Sequence, residues 1–199
     1  MGKMDERLKK QMDFLLEADK LKFINRQTYL SDGKRKENDG EHSWHLALMA
    51  VLLSEYSNEK IDLIKVIIMV LIHDMVEIDA GDTYAYDAVG NQSKREREVK
   101  AADRIFNILP RDQAERFRQL WEEFEAYETP EAKFAHVCDN VQPLMLNDAT
   151  DGLAWREHDV KKSQVLQRNR RTGEGSQVLM EYINRILDKN VESGNLRDE

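Results

Sequence analysis

The sequence predicts an all-α fold, and three observations support this prediction. Apolar residues recur three or four positions apart along most of the chain, which is the period of an amphipathic helix. Only 9 glycines and 3 prolines interrupt the 199 residues, so helix-breaking residues are scarce. The β-branched run at residues 66–72 could form a strand, but no other segment offers a convincing partner for it. This length predicts one domain over residues 1–199, with a core from about 20 to 190 and a polar tail from about 191 to 199.

Individual helices follow from the periodicity and from the residues that punctuate it. The predicted helices cover residues 4–18, 41–56, 60–78, 93–108, 111–127, 159–170 and 176–189, and a further helix begins at residue 130. Ser93 begins its helix with a capping-box pattern, because Glu96 follows three residues later. Residues 79–92, which contain Gly81, are expected to form a loop.

Proline and polar residues mark the remaining helix ends. Thr129 followed by Pro130 predicts an N-cap and the first helical position. Pro143 predicts a kink or a break in the same helix, because proline lacks the backbone N–H that a helix interior requires. The polar chain after Asn190 is expected to be frayed.

Charge and composition restrict the classes of function. The formal net charge is −8 and the isoelectric point about 5.3, so a nucleic-acid polymer is not an expected partner. A small phosphorylated substrate is compatible with this charge if the local pocket is basic. The single cysteine, Cys138, excludes an intrachain disulfide and predicts a cytoplasmic protein. The apolar run at residues 66–72 is far shorter than a membrane span, so no membrane partner is expected.

Four residues form a pattern that indicates a metal site. His73 and Asp74 end a long apolar segment, where burial of ionisable groups requires a compensating partner such as a divalent cation. His42 lies 31 residues before His73, and Asp139 follows Asp74 by 65 residues. A set of nitrogen and oxygen ligands suits one divalent ion of Mn, Co, Fe, Ni, Zn or Mg. A hydrogen-bonded structural His–Asp pair is the competing interpretation.

Two further carboxylates lie beside these residues. Glu77 follows His73 by four positions and shares its helical face, and Asp82 comes just after the helix. Both could act as acid or base toward a water molecule or a leaving oxygen.

The ordered set resembles the HD-domain metal-dependent phosphohydrolases, whose pattern is H…HD…D. More narrowly, it is similar to the branch that contains the bacterial 5′-deoxynucleotidases and their eukaryotic relatives. The segments that carry the resemblance are residues 21–26, 41–43, 73–82 and 129–133. The stretch at residues 140–147 resembles the corresponding stretch of a sub-branch of this family whose substrate is uncertain.

The resemblance implies an HD-domain helical bundle and assigns roles to individual residues. The implied ligands of one divalent metal ion are His42, His73, Asp74 and Asp139. Glu77 and Asp82 would serve the attacking water or the leaving group, and Arg26 would bind the substrate phosphate. Gln27 and Tyr29 occupy the two positions where relatives often have Trp, and Tyr29 could still stack on a base.

The implied activity is hydrolysis of nucleoside or deoxynucleoside 5′-monophosphates by attack of a metal-bound water. The same resemblance implies a homodimer, which the apolar content of residues 117–127 supports, although a core-facing helix would look the same. One alternative is another HD-type hydrolase, either a phosphodiesterase or a (p)ppGpp-like pyrophosphohydrolase. The other alternative is a non-catalytic, metal-containing helical module for sensing or interaction.

Three further side chains have more ordinary interpretations. Trp44 and Trp155 are expected in the core or an interface rather than as platforms for a base. His136 lies three residues before Asp139 and is expected off the metal-facing side of its helix.

Overall fold

The computed structural model describes residues 5–81 and 94–199, and these segments are predominantly helical. The helices are α1 (Glu6–Ala18), α2 (Asp39–Leu53), α3 (Leu63–Ile72), α4 (Glu77–Ala80), α5 (Lys94–Phe106), α6 (Arg111–Ala126), α7 (Pro130–Ala149), α8 (Leu153–Glu157), α9 (Lys162–Asn169), α10 (Thr172–Gly175) and α11 (Gln177–Glu192). The strands are β1 (Asn25–Tyr29) and β2 (Lys36–Asn38). The predicted all-α fold is confirmed. None of the described helices has both the length and the apolarity needed to cross a bilayer.

Side-chain caps fix where the main helices begin. Each capping oxygen accepts a hydrogen bond from a backbone N–H in the first turn, which would otherwise have no partner. The caps are Asp5, Asn38, Asp62, Thr129 and Ser176. Asn38 forms a complete capping box with Glu41, so α2 starts at Asp39 and carries His42 in its first turn.

Helix α7 lies at the centre of the structure and contacts α2, α3, α6, α10 and α11. Its buried Phe134 and Val137 pack in one core with Leu46 of α2 and with Val66 and Met69 of α3. Burying each side chain of this kind contributes about 1.5–3 kcal/mol. The core therefore fixes α2, α3 and α7 relative to one another, and these are the elements that carry the predicted ligands.

A two-stranded antiparallel hairpin precedes α2, although the sequence predicts no strand. Asn25 pairs with Asn38 and Tyr29 pairs with Lys36, with an irregular register between them. The strand Asn25–Tyr29 is polar and mostly half-buried, so it lacks the alternation of apolar and polar residues that reveals a strand. The hairpin brings Arg26 beside the start of α2.

The helix predicted over residues 60–78 is divided in the structure. Helix α3 ends at Ile72, residues 73–76 form a tighter 3₁₀ turn, and α4 follows it. Inside the tighter turn, His73 Nδ1 donates a hydrogen bond to the carbonyl of Val70 at 2.9 Å. Gly81 ends α4 at a φ of 75°, a conformation that favours glycine. The predicted Ser93 cap, the rest of the predicted loop and Asp82 lie outside the described residues.

Helix α7 passes through Pro143 without interruption, so of the predicted kink or break the break is wrong, and the kink stays a prediction. Proline removes one intrahelical hydrogen bond at a cost of about 3 kcal/mol. The extensive burial of α7 outweighs this cost. One turn later, Asn147 Nδ2 donates to the carbonyl of Pro143 at 2.8 Å.

The C-terminal tail is exposed over most of its length but is anchored to the rest of the fold, so the prediction that it is frayed is wrong. Asn190 is fully buried and donates to the carbonyl of Ile186 at 2.9 Å. Leu196 is only 3% exposed, and the backbone carbonyl of Arg197 accepts from Lys162 N at 2.8 Å. The two apolar residues of this polar tail, Val191 and Leu196, produce no periodic pattern, and the sequence therefore does not reveal this anchoring.

Candidate metal centre and cavity

The four predicted metal ligands meet at one buried point. His42 Nε2 lies 3.0 Å from Asp139 Oδ1, which joins α2 to α7. His73 Nε2 lies 3.1 Å from Asp74 Oδ2 and 3.8 Å from Asp139 Oδ1. His42 Nε2 and Asp74 Oδ2 are 4.0 Å apart. Residues separated by up to 97 positions therefore present nitrogen and oxygen donors to a common centre.

Hydrogen bonds to the opposite ring nitrogens orient both imidazoles. His73 Nδ1 donates to the Val70 carbonyl, and His42 Nδ1 donates to Gln142 Oε1 at 3.1 Å. Gln142 Nε2 in turn donates to Glu37 Oε1 at 2.6 Å, which fixes the orientation of the amide. With each Nδ1 acting as donor, the two Nε2 atoms face the centre, as metal-binding imidazoles require.

Sequence reasoning missed Gln142 and Glu37. Gln142 lies one helical turn after Asp139, and this spacing is the signal that could have pointed to it. Glu37 lies on β2, and the sequence contains no pattern that connects it to His42.

These residues fit a divalent metal ion. One ring nitrogen of His42, one ring nitrogen of His73 and a carboxylate oxygen of Asp139 lie within 4.8 Å of one another. His73 Nε2 is buried and makes no hydrogen bond with the described part of the chain. A buried nitrogen lone pair beside a carboxylate oxygen is the donor set that transition metals and zinc prefer. His42, His73 and Asp139 could therefore hold a metal ion.

The ionisation of these groups reflects their mutual contact. Burial lowers the pKa of His73, but Asp74 and Asp139 outweigh burial and raise that pKa well above its usual value. Burial raises the pKa of Asp139, but its hydrogen bond with His42 and the nearby imidazole of His73 hold that pKa well below the usual range. The carboxylates are therefore ionised at neutral pH, and protons compete with a metal for the imidazoles.

A second buried group contains only carboxylates. Oxygens of Asp39, Asp74 and Glu77 lie within 4.8 Å of one another, and this group could also hold a cation. Arg26 already provides positive charge there, because its Nη1 lies 2.7 Å from Asp74 Oδ2 and 3.3 Å from Asp39 Oδ1. Burial lowers the pKa of Arg26, but the surrounding carboxylates, led by Asp74 and Asp139, outweigh burial and raise it.

The metal centre opens into a cavity of about 360 Å³. One end of the cavity is lined by Arg26, His73, Asp74, Glu77 and Asp139. The predicted phosphate-binding residue and one predicted acid–base residue therefore share the cavity with three of the four predicted ligands. This arrangement provides a small polar space beside a potential Lewis acid, which suits the chemistry of a phosphate ester.

Tyr29 is placed differently from the other predicted site residues. Its hydroxyl donates to Glu157 Oε1 at 2.7 Å, and Tyr29 is not among the described residues that line the cavity. Gln27 and Thr28 of the same strand do line it. Contact of Tyr29 with a substrate stays a prediction.

His136 lines the cavity inside an aromatic stack, which the sequence reasoning did not anticipate. Its ring lies 3.9 Å from the ring of Phe124 and 4.1 Å from that of Tyr127, centroid to centroid. Its Nε2 donates to the carbonyl of Phe124 at 2.9 Å. Burial lowers the pKa of His136 to about 4, so the ring is neutral at physiological pH.

The two tryptophans of uncertain role occupy different environments. Trp44 is 65% exposed and belongs neither to the core nor to the cavity. Trp155 is 4% exposed and lines the cavity from α8.

Solved structures of other proteins share this arrangement of helices. A predicted metal-dependent phosphohydrolase from Magnetospirillum magnetotacticum MS-1 is 48% identical, with a TM-score of 0.92 and 96% of each chain covered. A conserved hypothetical protein from Pyrococcus furiosus is 24% identical, with a TM-score of 0.59, and the match covers 87% of this chain and 99% of that one. The second similarity shows a shared fold.

Curated relatives and a family model agree with this similarity. The 5′-deoxynucleotidase HDDC2 of Homo sapiens is 27% identical over 67% of this chain and 65% of its own length. The chain thus spans about 65% of the length of that relative. The model of the HD domain matches residues 18–180, which is most of the chain. The predicted resemblance is confirmed, and the protein belongs to the HD-domain family.

Proposed function

We propose that the protein is a divalent-metal-dependent phosphohydrolase that hydrolyses nucleoside or deoxynucleoside 5′-monophosphates. The observation that carries this proposal is the convergence of His42, His73 and Asp139 beside a polar cavity, which His73, Asp139 and Glu77 line. The relatives named 5′-deoxynucleotidase support this activity. The solved structure of a predicted metal-dependent phosphohydrolase supports the dependence on metal and the phosphohydrolase class.

The residues at the metal end have distinct proposed roles. One divalent cation would be held by His42, His73, Asp74 and Asp139. When bound, this cation supplies a Lewis acid that polarises a phosphoryl oxygen and lowers the pKa of water. Glu77 is buried in the cavity wall and would hold the proton that the attacking water releases. Asp82, the second proposed acid–base residue, lies outside the described residues.

Arg26 has two proposed roles at this end of the cavity. Its Nη1 contacts Asp74 and Asp39, which holds the ligand carboxylate of Asp74 in position. A guanidinium has five N–H donors, so Arg26 can bind a phosphate oxygen while it keeps these contacts.

A substrate panel tests the proposal. Protein stripped of metal is reloaded with manganese or cobalt and assayed with nucleoside 5′-monophosphates, cyclic nucleotides, bis-aryl diesters and guanosine pyrophosphates. We expect metal-dependent release of phosphate from the monophosphates and no release by Asp139→Asn. Faster turnover of diesters or pyrophosphates than of every monophosphate would instead favour another HD-type hydrolase. Absence of turnover with all substrates would favour a non-catalytic metal-containing module.

The assembly and location are also proposed. Residues 117–127 do not support a dimer, because Leu120, Trp121 and Phe124 of that segment are buried in the core. A homodimer is supported instead by an exposed apolar stripe on α1, where Leu15 is 60% and Leu16 is 73% exposed. Light scattering tests the dimer, and a monomer mass would contradict it.

The proposed cytoplasmic location rests on Cys138, which is a buried free thiol. A single domain over residues 1–199 is also proposed.

A further inference from the structure

The cavity extends beyond the metal end to a second wall. This wall is formed by one face of α7 together with α8 and α9. Its residues are Asn140, Pro143, Leu144, Asn147, Ala154, Trp155, Arg168 and Asn169. The four residues from α7 are three or four positions apart and so lie on one helical face. These four residues all lie within the stretch 140–147, to which the sequence analysis assigned no role.

Two buried amides in this wall each have an unused acceptor. Asn147 Nδ2 donates to the carbonyl of Pro143, and Asn169 Nδ2 donates to the carbonyl of Val165, each at 2.8 Å. These bonds fix which atom of each amide is the oxygen. Both Oδ1 atoms are buried and accept no hydrogen bond from the described residues, although Asn147 is 6% and Asn169 only 1% exposed. Burying a carbonyl oxygen without a donor is costly, so both oxygens favour a ligand that carries N–H groups.

Arg168 adds an uncompensated donor to the same wall. The other cations that line the cavity form ion pairs, Arg26 with Asp74 at 2.7 Å and Lys94 with Glu98 at 3.4 Å. Among the described residues, Arg168 has no carboxylate within ion-pairing distance. Its guanidinium is therefore available to an acceptor on a ligand in the cavity.

The wall also offers apolar surface. Trp155, Pro143 and Leu144 line it beside the two amides. A flat heterocycle can pack on such surface, whereas a sugar gains less from it. The wall thus combines apolar surface with two hydrogen-bond acceptors and one cationic donor.

We propose that this wall binds the nucleobase and selects bases that carry an exocyclic amino group, an inference that rests on the proposed nucleotidase activity. An amino group supplies two N–H donors for the oxygens of Asn147 and Asn169. The ring nitrogen or carbonyl beside the amino group accepts from Arg168. Uracil and hypoxanthine present a carbonyl where cytosine and adenine present the amino group, so their oxygen would face an amide oxygen.

Matched substrate pairs test this inference. The kcat/KM of the metal-loaded enzyme is measured for dCMP against dUMP and for dAMP against dIMP, which differ at the amino position. We expect the amino-bearing member of each pair to be favoured by ~10–100-fold, the factor that one or two unmatched buried acceptors produce. Equal kcat/KM values within each pair would overturn the inference. The inference would also be overturned if kcat/KM differed between ribonucleotides and deoxyribonucleotides but not between bases.

Variants locate the preference in the wall. Arg168→Ala changes an exposed residue and is expected to raise KM for dCMP and dAMP while kcat stays near the parent value. Arg170→Ala, an exposed residue of the same segment that does not line the cavity, is the matched control and is expected to change neither. Asn147→Leu is expected to reduce the ratio of kcat/KM for dCMP to kcat/KM for dUMP. Thermal unfolding of this variant is recorded to verify that it folds. If Asn147→Leu fails to fold, the Arg168→Ala comparison decides. An unchanged KM in Arg168→Ala contradicts the assignment.

Binding of unphosphorylated nucleosides separates this inference from the proposed function. Deoxycytidine and deoxyuridine are titrated into the metal-loaded protein by calorimetry. Absence of turnover with every monophosphate, together with preferential binding of deoxycytidine, would refute the nucleotidase activity and keep the base site. Turnover of monophosphates with equal binding of the two nucleosides would keep the activity and refute the base site.

Discussion

The guanidinium of Arg26 and the carboxylate of Asp74 form an ion pair of 2.7 Å at the edge of the metal centre. Asp74 also lies 3.1 Å from His73 Nε2, so one carboxylate contacts both the arginine and a proposed metal ligand. Arg26 additionally contacts Asp39, a fully buried acid. The arginine that we propose binds phosphate is therefore also the counter-ion of the buried acidic group, which would couple substrate binding to the stability of the site.

Loss of the Arg26 charge is predicted to destabilise the fold. Arg26→Gln leaves Asp39, Asp74 and Glu77 buried without their cation, and removing one partner of a buried ion pair costs about 3–5 kcal/mol. Urea unfolding of chelator-treated protein measures this change. Arg7→Gln is the control, because the Arg7–Asp112 pair is exposed and solvent screening leaves such pairs little effect on stability. Equal effects of the two substitutions would show that Arg26 does not compensate the buried acids.

Gln142 is predicted to control metal affinity without touching the metal. It accepts from His42 Nδ1 and donates to Glu37, which orients the imidazole. Gln142→Leu preserves side-chain size and removes both bonds, so metal affinity should fall by ~10–100-fold. Competition with a chromophoric chelator measures the affinity. Gln113 lies on α6 and has no contact with His42, so Gln113→Leu is the control and should retain the parent metal affinity. An unchanged metal affinity in Gln142→Leu would refute the orienting role.

The positions of the predicted ligands could be read from the sequence because long-range packing obeys a simple rule here. His42, His73 and Asp139 each adjoin an apolar helical segment, and apolar faces of helices must meet in one core. Polar groups at the ends or edges of such faces are brought together with them. The ordered spacing then predicted the ligand set, and its resemblance to a known family supplied the proposed roles.

The remaining contacts depend on information that is not periodic. Glu37 reaches His42 through an irregular polar hairpin, and Leu196 anchors the tail as one isolated apolar side chain. His136 and Asn147 lie on the face of α7 that lines the cavity. A sequence does not show which face of a buried helix borders a cavity. These features arise from tertiary placement, which local patterns do not encode.

Glu77 is predicted to affect turnover more than metal content. Its carboxylate lines the cavity but lies outside the His42–His73–Asp139 group. Glu77→Gln keeps the size of the side chain and removes its ability to take a proton, so kcat should fall by ~10²–10⁴-fold while bound metal stays near the parent level. Elemental analysis and steady-state assays measure the two quantities. Glu125→Gln, also in the cavity wall, is the matched control; equal kcat values in the parent and Glu77→Gln would contradict the acid–base role.

His136 is predicted to make the fold less stable as the pH falls from about 6.5 to about 4. Burial between Phe124 and Tyr127 lowers its folded-state pKa to about 4, whereas the unfolded chain binds this proton near the ordinary value of about 6.5. The unfolded state therefore holds more protons in this window, and the free energy of unfolding decreases as the pH falls. A difference of this size corresponds to about 3 kcal/mol.

His136→Phe isolates this contribution, because phenylalanine retains the aromatic stack and cannot titrate. The variant also loses the hydrogen bond to the carbonyl of Phe124, which changes the free energy of unfolding equally at every pH in the window. Between pH 7 and pH 4 the parent should lose about 3 kcal/mol more than His136→Phe. Urea unfolding at a series of pH values measures both curves with the same chelator present, so that the other histidines contribute equally. Parallel curves would show that His136 does not carry the acid sensitivity of the fold.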